Sequence, residues 1–190
     1  MRIKFIAFLA VPFFLSGCST TITENVRNAS VELNNIAAGS SDNLDIQSII
    51  EKNEKEHGIP KGILRSIATV ESGSNPYAVN AKRKTYLFKS KNEAIKFINS
   101  CVKKKNQNLS VGCMQIHYKS HKGKFNSIDD MLSPEKNTAF AAFTLKKLYE
   151  KYGDWKTAIK RYHANKSKYS NAYYKRVMKI YNLRYNKKKA

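Results

Sequence analysis

The sequence predicts an all-α domain carried behind an N-terminal address segment. Three observations point there. From Leu44 onward, apolar residues recur every three or four positions, the period of one helix face. Pro, Gly, Ser and Asp punctuate these stretches where helices start and stop. Strand-like alternation is almost absent, and no internal repeat is visible. The chain has 190 residues, 42% hydrophobic and 11% aromatic, enough for one packed domain and too apolar for global disorder.

Residues 1–18 read MRIKFIAFLAVPFFLSGC. Arg2 and Lys4 make a short positive start, and Phe5 to Leu15 form an apolar run broken in conformation by Pro12. Eleven helical residues span about 16 Å, roughly half a bilayer core, so the run has signal-peptide rather than transmembrane dimensions. Leu15-Ser16-Gly17-Cys18 resembles a bacterial lipobox, which implies that Cys18 is diacylated and becomes the mature N-terminus. Residues 1–17 are then a signal peptide, and the protein is exported. Ser19, rather than Asp, follows the cysteine, as in lipoproteins sent to the outer membrane. The expected location is the outer membrane, facing the periplasm. Residues 18–43 are rich in Ser, Thr, Asn and Gly and read as the lipidated end and a flexible tether, about 25–30 Å long as a coil.

The domain is expected over residues 44–182. Leu44, Ile46, Ile49 and Ile50 line a first helix ending near Gly58. Pro60 opens the second, with Ile63, Leu64, Ile67 and Val70 as its buried stripe. Residues 91–104 form a third, with Ala94, Ile95, Phe97, Ile98 and Cys101 at helical spacing. Ser127 and Asp129 begin a short helix to Leu132. Ser133-Pro134 begins a long one through Tyr152, with Ala141, Ala142, Leu145 and Leu148 turned inward. Gly153 ends it, Asp154 caps the next, which runs to about residue 164, and a last amphipathic helix covers residues 171–181. Residues 183–190 are a basic tail.

Lys and Arg total 35 against 14 Asp and Glu, a formal charge of +21, which points to a polyanionic partner or to a Lys-rich composition without such a role. Only seven of the basic residues are Arg. Base readout and phosphate clamps favour Arg, so this composition together with export argues against nucleic acid.

The segment Ile67-Ala68-Thr69-Val70-Glu71-Ser72-Gly73-Ser74-Asn75-Pro76 sets a carboxylate at the end of an apolar helix. There it faces the negative end of the helix dipole, which raises its pKa if the group is also desolvated. A carboxylic acid still protonated near neutral pH is what glycosidic-bond cleavage requires. This segment resembles the Glu-Ser-Gly-x-x-Pro motif of the lytic transglycosylases of the lysozyme superfamily. Val111-Gly112-Cys113-Met114-Gln115-Ile116 is similar to that family's Gly-Leu-Met-Gln-Ile motif, with Cys113 in place of Leu. Asn137, Ala141 and Leu145 match its Asn-x-x-x-Ala-x-x-x-Leu helix, and Ala158 to His163 resembles Ala-x-x-x-Tyr-Asn.

The resemblance implies a lysozyme-like helical fold that cleaves peptidoglycan between N-acetylmuramic acid and N-acetylglucosamine, leaving 1,6-anhydro ends. It implies Glu71 as general acid and then base, Ser72 bonding the N-acetyl sugar or the Glu71 carboxyl, and Met114 packing on a sugar face. It further implies Gln115 bonding the sugar, and Tyr162 presenting its hydroxyl beside Glu71. Ser72 alternatively only shapes the turn, and Met114 and Tyr162 alternatively belong to the core. No second acid falls in a motif position; Asp129, Asp130 and Asp154 read as helix-start residues, which fits substrate-assisted chemistry. No cofactor and no metal is implied, and the four His are not in ligand spacing. Expected partners are peptidoglycan, the membrane through the lipid anchor, and a secretion, pilus or flagellar assembly. Rival readings are a lysozyme-like muramidase and a non-catalytic peptidoglycan-binding lipoprotein.

His163 stands where the family has Asn, and His117 where Asn is common; His57 and His121 read as surface residues. The basic stretch from residue 83 to 108 is either a cleft wall that touches the anionic peptide branches or a solvated helix face. Cys101 and Cys113 are expected close together in a compartment that permits disulfides, either bridged or as two buried thiols.

Overall fold

The computed structural model describes residues 46–163 and 167–185. The signal segment, Cys18, the tether and the final five residues lie outside the described residues. Helix α1 covers residues 46–56. Then follow α2 (Ile63–Ser72), β1 (Ala78–Ala81), β2 (Lys84–Leu87), α3 (Lys91–Lys103), β3 (Leu109–Val111) and β4 (Ile116–His117). The chain continues through α4 (Tyr118–His121), a 3₁₀ turn (Lys122–Lys124), α5 (Ile128–Leu132), α6 (Pro134–Tyr152), α7 (Trp155–His163) and α8 (Ser167–Tyr185).

The helical class stands, with one addition. Four short strands form an antiparallel sheet in the order β2-β1-β3-β4. Strands β1 and β2 lie between the first two motifs, where only a helix is expected, and β3 and β4 flank the second motif. The strands have two to four residues, too few to display a period of two in sequence. Val79, Ala81, Leu109 and Val111 are buried on one face. Helix α3 covers that side with Ala94 and Ile98, and its Phe97 ring lies 4.5 Å from Tyr86 and 5.3 Å from Phe88.

Helix ends follow local chemistry. Ser90, Ser127 and Ser133 accept the N–H of Glu93, Asp130 and Lys136 at the starts of α3, α5 and α6, and Pro134 sits in the first turn of α6. Asp154 accepts from the Thr157 N–H at 2.8 Å at the start of α7. Helix α2 starts at Ile63, not at Pro60, and its cap comes from another helix. The buried Glu54 carboxylate of α1 accepts the Gly62 N–H at 2.7 Å and the Arg65 N–H at 3.0 Å. The positive end of α2 compensates this anion, although burial still pushes the Glu54 pKa up. Helix α8 starts four residues earlier and ends four later than the expected 171–181.

The core joins α2 (Leu64, Ile67, Ala68), α6 (Ala141, Ala142, Leu145), α7 (Ala158, Ile159) and α8 (Tyr173, Val177) around the buried β3–β4 turn. Helix α2 packs on α8, and α7 packs on both α6 and α8. The C-terminal turn of α2 is thereby held where the helices meet the sheet.

Candidate active site

Helix α2 ends in a left-handed glycine cap. Gly73, with φ of 66°, donates to Thr69 O at 3.0 Å, and Ser74 N donates to Ala68 O at 3.1 Å. Glycine tolerates this left-handed backbone, so the helix stops one turn after Ala68 and leaves Glu71 in its last turn. The Glu71 side chain is 14% exposed and forms part of the wall of a cleft of about 480 Å³. It is the one carboxylate among the lining residues.

Burial raises the Glu71 pKa to about 7; a hydrogen bond from Tyr173 and the nearby Arg176 charge oppose the rise. The Tyr173 hydroxyl donates to Glu71 Oε1 at 2.7 Å. Its ring is stacked under His163, centroids 4.3 Å apart and planes within 4°. His163 Nδ1 stands 3.9 Å from the same Oε1, and burial followed by the Arg176 charge lowers the His163 pKa. Both effects favour the neutral imidazole. With Oε1 accepting from Tyr173, Oε2 is left to carry the proton of the acid form. A buried carboxyl that is half ionised near neutral pH and opens on a cleft can give a proton and take one back.

Tyr173 went unrecognised as a site residue in the sequence. Its signal was faint: it shares the inward face of α8 with Ser170 and Val177, at helical spacing. Tyr162, the tyrosine expected beside Glu71, lines the cleft and feels the Glu71 charge, but its hydroxyl donates to Met114 O at 3.0 Å.

Asn137 of α6 organises the β3–β4 turn. Its Nδ2 donates to Val111 O at 3.0 Å and Met131 O at 2.8 Å, while its Oδ1 accepts the Met114 N–H at 2.9 Å. Gly112, at φ 80°, leaves no room for a Cβ against this amide. Gln115 follows in a left-handed backbone at φ 51° and lines the cleft, with Nε2 donating to Gly112 O at 3.0 Å.

For Ser72 and Met114 the structure favours the alternatives of turn and core. Ser72 is buried, and its hydroxyl donates to Cys113 O at 2.8 Å, which ties the end of α2 to the turn rather than facing a sugar. The Met114 side chain is fully buried in the core; only its main chain faces the tyrosine. His121, expected on the surface, is half-buried; it lines the cleft and lies 5.1 Å from the Phe140 ring. Cys101 and Cys113 are both free. The Cys113 thiol, its pKa pushed up to about 12 by burial, points at Asn137 Oδ1 at 3.4 Å. Cys101 instead lines a separate hollow with Ala81, Tyr86 and Phe97. Among the described residues, no group of three His, Cys, Asp or Glu could hold a metal ion.

The sheet supplies the other wall. Thr85, Asn80, Ser110 and His117 pair in that order across β2, β1, β3 and β4, so they form one polar row on a single face. Asn80, Ser110 and His117 line the cleft. His117 is fixed at both ring nitrogens, 2.8 Å from Ser120 Oγ and 2.9 Å from Asn108 Oδ1.

A family model described as Transglycosylase SLT domain matches residues 48–182. No curated protein and no solved structure matches the chain.

Proposed function

Because the chain belongs to the transglycosylase SLT family, whose members are lytic transglycosylases of peptidoglycan, we propose that Glu71 is its single acid–base catalyst and that the product is a 1,6-anhydro-muramoyl end. The observation that carries this is one buried carboxyl, with a pKa near 7, as the one acid among the described residues that line the cleft. Glycosidases with two carboxylates divide the work between an acid and a nucleophile or base. With one, the substrate supplies the remainder. The Glu71 proton passes to the glycosidic oxygen as its bond to C1 of N-acetylmuramic acid breaks. The muramoyl N-acetyl oxygen stabilises the electron-poor C1. The Glu71 carboxylate then takes the proton from the C6 hydroxyl, whose oxygen closes on C1. Glu71 ends protonated, as it began.

Tyr173 is suited to hold the carboxylate between these two steps. Its hydrogen bond strengthens as charge develops on Oε1 and lets Oε2 face the substrate. Glu71→Gln keeps shape and removes the transferable proton. General acid catalysis contributes about 10²–10⁴-fold, so cleavage of murein sacculi should fall by at least the upper part of that range while binding persists. Undiminished cleavage would remove Glu71 from the chemistry.

Attachment to the outer membrane through acylated Cys18, and service to a secretion, pilus or flagellar assembly, belong to the same proposal. The lipobox supports the first. Membrane attachment that survives Cys18→Ser would contradict it.

A further inference from the structure

A second hollow, of about 370 Å³, adjoins the cleft and shares Asn80 and Ser110 with it. Its remaining lining is Lys82, Arg83 and Asn108. No acidic residue borders it. Asn80 and Ser110 of the polar row therefore border both the cleft and the hollow that holds the two cations.

Those cations occupy a turn that selects against them. Lys82 and Arg83 join β1 to β2 with φ of 51° and 66°, both left-handed. Two such residues in a hairpin favour Asn and Gly, because a Cβ clashes in this region. The two-residue hairpin itself requires this backbone, so what the fold does not account for is the choice of two cations there, at the border of the hollow. The other parts of the hollow are fixed: Asn80 Nδ2 donates to Thr85 Oγ1 at 3.0 Å, and Asn108 Oδ1 is engaged by His117.

On the peptidoglycan reading above, we propose that this hollow binds a carboxylate of the peptide branch attached to the muramic acid, so that the protein reads peptide-bearing glycan. A glycan lying along the cleft carries its peptide branches sideways, and Asn80 and Ser110, common to both cavities, offer them polar contacts beside Lys82 and Arg83. The guanidinium matches a carboxylate in a two-pronged geometry, and the ammonium adds a point charge.

The test uses the full chain carrying Glu71→Gln, so that substrate is bound and not consumed. Binding is measured at about 0.15 M salt to three soluble glycan strands: with native peptides, with peptide carboxyls blocked as methylamides, and with peptides removed so that only the lactyl carboxylate remains. Two exposed ion pairs amount to about three- to tenfold in affinity. Native strands should bind tighter than the other two by that factor. Lys82→Gln with Arg83→Gln should reduce native strands to the level of blocked ones. Exchange of the two cations (Lys82→Arg with Arg83→Lys) should keep a preference. Lys151→Gln with Lys156→Gln, equal in charge and lining neither cavity, should keep it fully. If the Gln pair does not fold, Lys82→Gly with Arg83→Gly removes the cations and relieves the backbone. Equal binding of native and blocked strands overturns the hollow and leaves the glycan reading standing. Tight binding to peptide-free strands assigns the cations to the lactyl group and overturns the peptide. Failure to bind any strand overturns both.

Discussion

Glu71→Gln should make the protein more stable, and increasingly so as pH rises. Moving the Glu71 pKa from 4.5 to about 7, at about 1.4 kcal/mol per pH unit, costs the folded state about 3 kcal/mol once the group is ionised. The sign follows from proton counting. Between 4.5 and about 7 the folded protein holds a proton on Glu71 that the unfolded chain has lost. Wild-type stability therefore falls as pH rises through that window. Gln carries no such proton, and its oxygen still accepts from Tyr173. Urea unfolding of both full chains, from about pH 4 to about pH 8, should show the stability difference growing by about 3 kcal/mol in favour of the variant. A flat difference, or one that grows toward acid, would refute a buried carboxyl disfavoured in its charged form. Growth toward acid would instead make Tyr173 and Arg176 the dominant partners.

The acid must be protonated to act, so kcat/KM should decline as pH rises through about 7. Tyr173→Phe removes the bond that favours the carboxylate; the alkaline limb should move up by about one pH unit, with kcat lowered, and an unmoved limb would deny Tyr173 its role. Asn137→Ala strands the Met114 N–H and the Val111 and Met131 carbonyls, and should cost about 3 kcal/mol in chemical denaturation. Gly112→Ala forces a Cβ against Asn137 at positive φ and should destabilise the same turn by about 2 kcal/mol or more, with activity lost.

Helices were legible because their signals are local. The apolar stripe of α2, the Ser-Pro start of α6 and Gly153 at its end can each be read within a few residues. Glu71 was legible because an acid at the end of an apolar helix runs against local preference. The sheet was not. Its strands are short, and its polar row exists only through pairing between Thr85, Asn80, Ser110 and His117. Tyr173 lies 102 residues from its hydrogen-bond partner Glu71, so nothing near either residue announces the contact. Met114 was open between a sugar contact and the core. The tight turn at Gly112, pinned by Asn137, sets that side chain in the core and leaves Gln115 on the cleft.

The central claim is that one carboxyl performs both proton transfers and that the C6 hydroxyl, not water, closes on C1. Mass spectrometry of the muropeptides released from purified sacculi tests it most directly. The account predicts fragments ending in 1,6-anhydro-N-acetylmuramic acid, one water lighter than hydrolytic products, and their disappearance with Glu71→Gln. Reducing N-acetylmuramic acid ends at the same sites would show that water attacks and that the protein is a muramidase, and intact sacculi after incubation with wild type would show a binding protein in place of an enzyme.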